Sequence, residues 1–168
     1  MTASMIRTIY LLVVMEIGFF GVSANASEFS VLLNGKAIHL EDAPAGKKFN
    51  EKNWGAGFQY DYEPIDNGRW IPFVTAAGFN DSNKNPSYYA GGGLLRRYQP
   101  DGWPVHFDVG MIVFLMKREE SGKSVFPGLL PAFSLGTPLV AVNMTFIPKI
   151  GPKTVPLLFF QLKITLHD

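Results

Sequence analysis

The stretch "WPVHFDVGMIVFLMK", residues 103–117, decides the architecture. Trp103, Val105, Phe107, Val109, Met111, Val113 and Leu115 fall on one face of an extended chain, and His106, Asp108, Gly110, Ile112, Phe114 and Met116 on the other. A period of two belongs to a strand, because successive side chains leave it on opposite sides. One face is apolar throughout, whereas the other begins polar and becomes apolar. The segment at the C-terminal end repeats the arrangement, with Leu158, Phe160, Leu162, Ile164 and Leu166 set against Phe159, Gln161, Lys163 and Thr165.

Working outward from that segment, alternation recurs at about 31–39, 53–63, 69–79, 87–98, 125–135, 138–147 and 156–166, which makes eight strands with 104–116. Glycine and proline are spread through the chain and rule out long helices. The segment lengths match the roughly 9–11 residues of a tilted membrane-spanning strand, and eight is the smallest usual number for a membrane barrel. The connections alternate as well. "PIDNG" (64–68), "QPDG" (99–102) and "GT" (136–137) are tight turns, whereas 40–52, 80–86, 117–124 and 148–155 are longer and polar. Short turns at one rim and long loops at the other are the asymmetry of outer-membrane barrels, whose long loops face outside. Aromatic residues near strand ends, Trp54, Tyr60, Tyr62, Trp70, Tyr88, Tyr98 and Trp103, favour that reading over a soluble lipocalin-like barrel with its apolar face inward. The fold expected is all-β, an eight-stranded antiparallel outer-membrane barrel over residues 27–168.

The first 26 residues read as an export signal: Arg7, an apolar run interrupted by Glu16, and small residues Ala24 and Ala26 before Ser27. Glu16 divides the run to below the roughly 18 residues that a spanning helix needs. With a formal net charge of +1, the chain has no electrostatic basis for binding nucleic acid. Without cysteine, thiol catalysis and disulfides are excluded, and with His39, His106 and His167 far apart in sequence neither a metal nor another cofactor is expected.

Strand direction brings candidate chemistry together. His39 ends the first upward strand, and Asp81 and Ser82 lie just past the top of the third, so all three reach the long-loop rim. Histidine can take a hydroxyl proton, serine can attack a carbonyl or donate to an oxyanion, and aspartate can orient or stabilise the imidazolium. The plainer alternative makes Asp81 and Ser82 turn formers and His39 a solvated strand end. His106 and Asp108, near the opposite rim, read as interior structure that pairs inside the barrel. Lys117, Arg118, Lys123, Lys149 and Lys153 read as loop cations, either solvated or in contact with lipid phosphates.

Five stretches in order, "FNEKNWGAGF" (49–58), "AGFNDSNK" (77–84), "AGGG" (90–93), "FPGLLPAFSLGTP" (126–138) and "MTFIP" (144–148), resemble the lipid A palmitoyltransferases of the PagP type. The resemblance runs from His39 to about Pro148. It implies an outer-membrane acyltransferase, active site facing the cell exterior, that moves a palmitoyl or similar chain from the sn-1 position of a phospholipid to lipid A. It places the catalytic residues at His39, Asp81 and Ser82, with a shorter first loop than the family usually has. The same resemblance puts the floor of an interior acyl pocket at Gly93. Ile112, Phe114 and Met116 fit the pocket wall, and a bend or bulge remains the alternative account of Gly91 and Gly92. Pro127, Pro131 and Pro138, which give no N–H to a ladder, match positions where lipid enters sideways, though proline also simply ends strands. No counterpart of the amphipathic helix that precedes the barrel in better-known members is expected, and neither is an oligomer: a monomer is expected. A non-catalytic lipid-binding or structural barrel is the competing function.

Overall fold

The computed structural model describes residues 27–41, 49–119, 124–149 and 155–166. The signal-peptide reading of 1–26 lies outside the described residues. Eight antiparallel strands form a closed barrel in sequence order: β1 Glu28–His39, β2 Lys52–Asp61, β3 Trp70–Asn80, β4 Pro86–Tyr98, β5 His106–Arg118, β6 Val125–Gly136, β7 Val140–Ile147 and β8 Leu157–Leu166. β1 closes the barrel against β8, from Phe29 opposite Leu166 to His39 opposite Leu157. The short turns collect at one rim, where Asp66, Asn67 and Gly68 take successive positive φ values between β2 and β3, a conformation that Asn, Asp and Gly tolerate best.

The alternation sorts as the sequence implies. In β5, His106, Asp108 and Ile112 are buried, whereas Phe107, Met111, Val113 and Leu115 are exposed. Leu33, Phe58, Leu94, Leu129, Val142 and Leu162 join them in an outward apolar belt, flanked by exposed Trp54, Tyr88, Tyr98 and Trp103. At the short-turn rim the Arg96 guanidinium lies over the rings of Trp70 and Tyr98 at 5.6 and 5.3 Å, shielding its charge at the level where such belts end.

The interior is layered. At the short-turn end Arg97 holds both carboxylate oxygens of Asp108 at 3.0 Å, His106 lies 3.5 Å from the same carboxylate, and Lys163 pairs with buried Asp61. The pairing expected of His106 and Asp108 is thus present. Above this layer Ile71, Phe73, Leu95, Ile112, Leu130 and Ala132 form an apolar cluster on the β3–β6 side. The β1, β2, β7 and β8 side carries a hydrogen-bonded polar wall: Gln161 reaches Asn34 and Tyr89, and Asn143 donates to Gln59.

Two departures matter for the site. β1 carries a bulge at Gly35, where the register shifts between Asn34 and Lys36. Before it Ser30, Leu32 and Asn34 face inward; after it buried Ala37 does, so His39 shares the inward parity. One extra residue swaps the faces of everything beyond it. Arg118, expected among the loop cations, is instead the last residue of β5, two positions beyond Met116 on the inward face.

Candidate functional site

At the long-loop rim, Nε2 of His39 lies 2.9 Å from Oγ of Ser82. The two residues are separated by 43 positions in sequence and meet because β1 and β3 both run toward this rim. The site stands above the outward apolar belt. Burial pulls the His39 pKa below its ordinary 6.5, and the Glu51 carboxylate partly opposes this. A neutral imidazole whose Nε2 accepts the Ser82 hydroxyl proton is the arrangement of a base and its activated hydroxyl. In that tautomer Nδ1 carries the proton, and among the described residues Nδ1 is buried without a partner.

Asp81 is placed differently from the residue that orients a histidine. It is 3% exposed, its Oδ1 accepts the backbone N–H of Asn83 and Asn85 at 2.8 and 2.9 Å, and its Oδ2 takes a 3.2 Å ion pair from Arg118. The loop closes with Asp81 N–H on the carbonyl of Asn85 and Lys84 N–H on that of Asp81, Lys84 adopting a positive φ of 66°. Asp81 therefore shapes the loop that presents Ser82, and Arg118 moors that loop to β5. Asp81 takes the turn-forming role weighed for it, whereas a turn-forming Ser82 and a solvated strand-end His39 do not describe the hydrogen bond between them. Arg118 was legible in principle, because the parity of Ile112, Phe114 and Met116 continues to it.

Beneath the pair lies a cavity of about 380 Å³. Asp81, Ser82 and Arg118 line its mouth; Ile112, Phe114, Met116, Leu130, Ile147 and Phe159 line its wall, and Phe73 and Leu95 its deep end. The three β5 residues expected in the wall are all there. Gly93 is opposite Phe73 in the β3–β4 ladder, and its empty side is filled by the Phe73 ring. A Cβ built there would fall 2.7 Å from two Phe73 ring carbons and 2.1 Å from the carbonyl oxygen of Met111. Gly93 seats the ring, and it is the ring and not Gly93 that lines the cavity. Gly91 is similarly tight, a Cβ there meeting the Val113 carbonyl oxygen at 2.2 Å.

The barrel wall is incomplete on one side. β6 and β7 pair only from Ala132 opposite Thr145 to Gly136 opposite Ala141, leaving Val125–Pro131 without β7 partners toward the long-loop rim. Outward-facing Pro127, Leu129 and Phe133 of β6 and Met144 of β7 nevertheless line the cavity, which therefore reaches through this gap. Pro127 and Pro131 lie in the unpaired stretch. Pro138 lies instead in the short turn between β6 and β7, at the other rim, and so flanks no opening here. Among the other loop cations, Lys149 pairs with Glu41 at 2.6 Å, and Lys123 and Lys153 fall outside the described residues.

Among known proteins, the family described as "Antimicrobial peptide resistance and lipid A acylation protein PagP" matches residues 26–161. A protein of Erwinia sp. (strain Ejp617) named lipid A acyltransferase PagP is 31% identical over 108 residues, 64% of this chain and 57% of that protein. The matched region thus spans less than two thirds of that relative. Of solved structures, Neisserial surface protein A is similar at 14% identity with a TM-score of 0.48, covering 84% of this chain and 96% of that one. The Yersinia pestis outer membrane protein Ail in a nanodisc is similar at 11% identity and a TM-score of 0.44, covering 83% and 99%.

Proposed function

The chain belongs to the PagP family, and from that premise we propose that it is an outer-membrane acyltransferase whose long-loop rim faces the cell exterior. The donor is a phospholipid, giving up its sn-1 palmitoyl or similar chain, and the acceptor is lipid A. The observation that carries this reading is the His39–Ser82 hydrogen bond of 2.9 Å at the mouth of a cavity with a largely apolar wall. The cavity takes the acyl chain and the rim holds the ester. His39 takes the proton of the attacking hydroxyl, that of Ser82 or of lipid A with Ser82 donating to the oxyanion, and returns it to the glycerol oxygen as the donor's acyl C–O bond breaks and lysophospholipid leaves. An acyl chain held on Ser82 passes to the lipid A hydroxyl in a second such step. Asp81 acts through the loop it shapes, with Arg118. The outward apolar belt supports membrane insertion, and the gap between β6 and β7, with Pro127 and Pro131 in it, supports sideways entry of the chain from the outer leaflet. The barrel acts as a monomer and needs no metal or other cofactor in this scheme.

The test is mass spectrometry of lipid A after incubation of the refolded barrel with diacyl phospholipid, with Ser82→Ala and His39→Ala alongside. A gain of one acyl chain that falls at least about a hundredfold in both variants is expected, since positioned acid–base groups typically contribute 10²–10⁴-fold. A folded wild-type barrel that transfers nothing would favour a lipid-binding barrel instead.

A further inference from the structure

Phe49 and Asn50 open the stretch "FNEKNWGAGF" and have no part in the proposed reaction, yet both touch the site. The Phe49 ring stacks on the His39 imidazole with centroids 4.1 Å apart and planes 16° from parallel. The next residue grips the other half of the site. Asn50 N–H donates to the carbonyl of Ser82 at 2.8 Å, and its side-chain Nδ2 donates to the carbonyl of Asp81 at 3.1 Å. Asn50 is itself fixed on β2, exchanging Nδ2 to the Lys52 carbonyl at 2.9 Å for Lys52 N–H to Oδ1 at 3.2 Å. Two adjacent residues thus touch the strand that carries the base and the loop that carries the hydroxyl.

We propose that Phe49 and Asn50 are the positioning pair of this site: Phe49 sets the plane of the His39 ring, as a carboxylate does elsewhere, and Asn50 sets the height of Ser82. Asp81 leaves that task open, its oxygens being engaged by Asn83, Asn85 and Arg118. The inference rests on the reading of His39 and Ser82 as the acyl-transfer pair. Neither residue bonds to Nε2 of His39 or Oγ of Ser82, and misplacing a catalytic group by an ångström can cost about a hundredfold in rate. Stacking also withholds water from the imidazole, in keeping with its lowered pKa. Of the charges around it, Glu51 immediately before β2 acts on His39, Asp81 is paired with Arg118 of β5, and Glu41 is paired with Lys149 beyond β7.

The experiment compares Phe49→Leu, Phe49→Tyr and Asn50→Ala with the wild-type barrel in detergent, each checked for folding. Phe49→Leu and Asn50→Ala should lower kcat by about 10–100-fold with KM for phospholipid unchanged, and Phe49→Tyr, which keeps the ring, should restore the rate. In Phe49→Leu the acidic limb of the pH–rate profile should move upward, toward the ordinary histidine value. Wild-type kcat and an unmoved limb in Phe49→Leu would overturn the assignment, as would equal losses in the leucine and tyrosine variants. The titration of the His39 imidazole, followed by NMR in wild type and Phe49→Leu, reads the stacking without catalysis. A titration that moves while the wild type transfers no acyl chain rejects the acyltransferase reading alone; one that stays put rejects the role of Phe49.

Discussion

A base that shares a hydrogen bond with its serine works only while it is neutral. His39 loses that condition as pH falls through its pKa, and burial holds the pKa below the 6.5 of a free imidazole, Glu51 opposing. Activity of the folded barrel should therefore persist below pH 6.5 and decline at lower pH, read as the acidic limb of kcat/KM. Replacing Glu51 by Gln removes the opposing charge and should move that limb lower still; a limb that rises in this variant would contradict the assignment of His39 as the base. This part of the site was legible because only strand direction is needed to put His39 and Ser82 on one rim. What escaped the sequence was the Gly35 bulge, whose extra residue decides that His39 faces inward and not toward lipid. A single glycine after Asn34 is compatible with a bulge or an ordinary strand, and the choice depends on cross-strand pairing with β2 and β8.

In the proposed reaction, specificity and access fall to pairs of strands. The alternation located every strand, with β5 shifted from 104–116 to His106–Arg118, because the belt of lipid-facing side chains imposes a strict period on each crossing. Register between strands was hidden, and with it the seat of Phe73 on Gly93. That seat makes two opposite changes predictable. Gly93→Met must push the ring, the Met111 carbonyl or both, and so shorten the preferred acyl chain; Phe73→Ala deepens the cavity and should lengthen it. One methylene in an apolar pocket is worth roughly 10–200-fold in discrimination, so mass spectrometry of the products from mixed-chain donors would resolve either shift. Identical product profiles in both variants would dismiss Phe73 as the floor. Access is testable on the next pair. The chain has no cysteine, so cysteines placed at Pro131 and Phe146, where the β6–β7 register would continue past Ala132 and Thr145, can be joined by a short thiol crosslinker. Joining them should stop transfer and reduction or omission of the linker should restore it; full activity with the gap joined would mean that lipid enters elsewhere.

The whole barrel must hold an apolar cavity open at one end and stay closed to water at the other, and buried charges fill the short-turn end where that closure is needed. Asp61 and Lys163 are 6% and 7% exposed, on β2 and β8 on either side of β1, and Asp61 also accepts from Gln59, which in turn accepts from Asn143 of β7. The network thus links strands that are distant around the wall. Sequence showed Lys163 only as a polar residue in an inward position, since its partner lies 102 residues away. Removing one member of a buried ion pair leaves the other uncompensated, at a cost of about 3–5 kcal/mol, whereas replacing both with apolar groups of similar size is often close to neutral. Asp61→Leu alone should therefore lower the unfolding midpoint of the barrel in urea, and Asp61→Leu with Lys163→Met should regain most of the loss, short of the acceptor that Gln59 no longer has. Acyl transfer, if it is the reaction, should remain in the double variant, because this layer lies at the short-turn end and the His39–Ser82 pair at the other rim. Equal midpoints for the single and double variants would show that the pair is solvated through the bore, and the short-turn end would then need another seal.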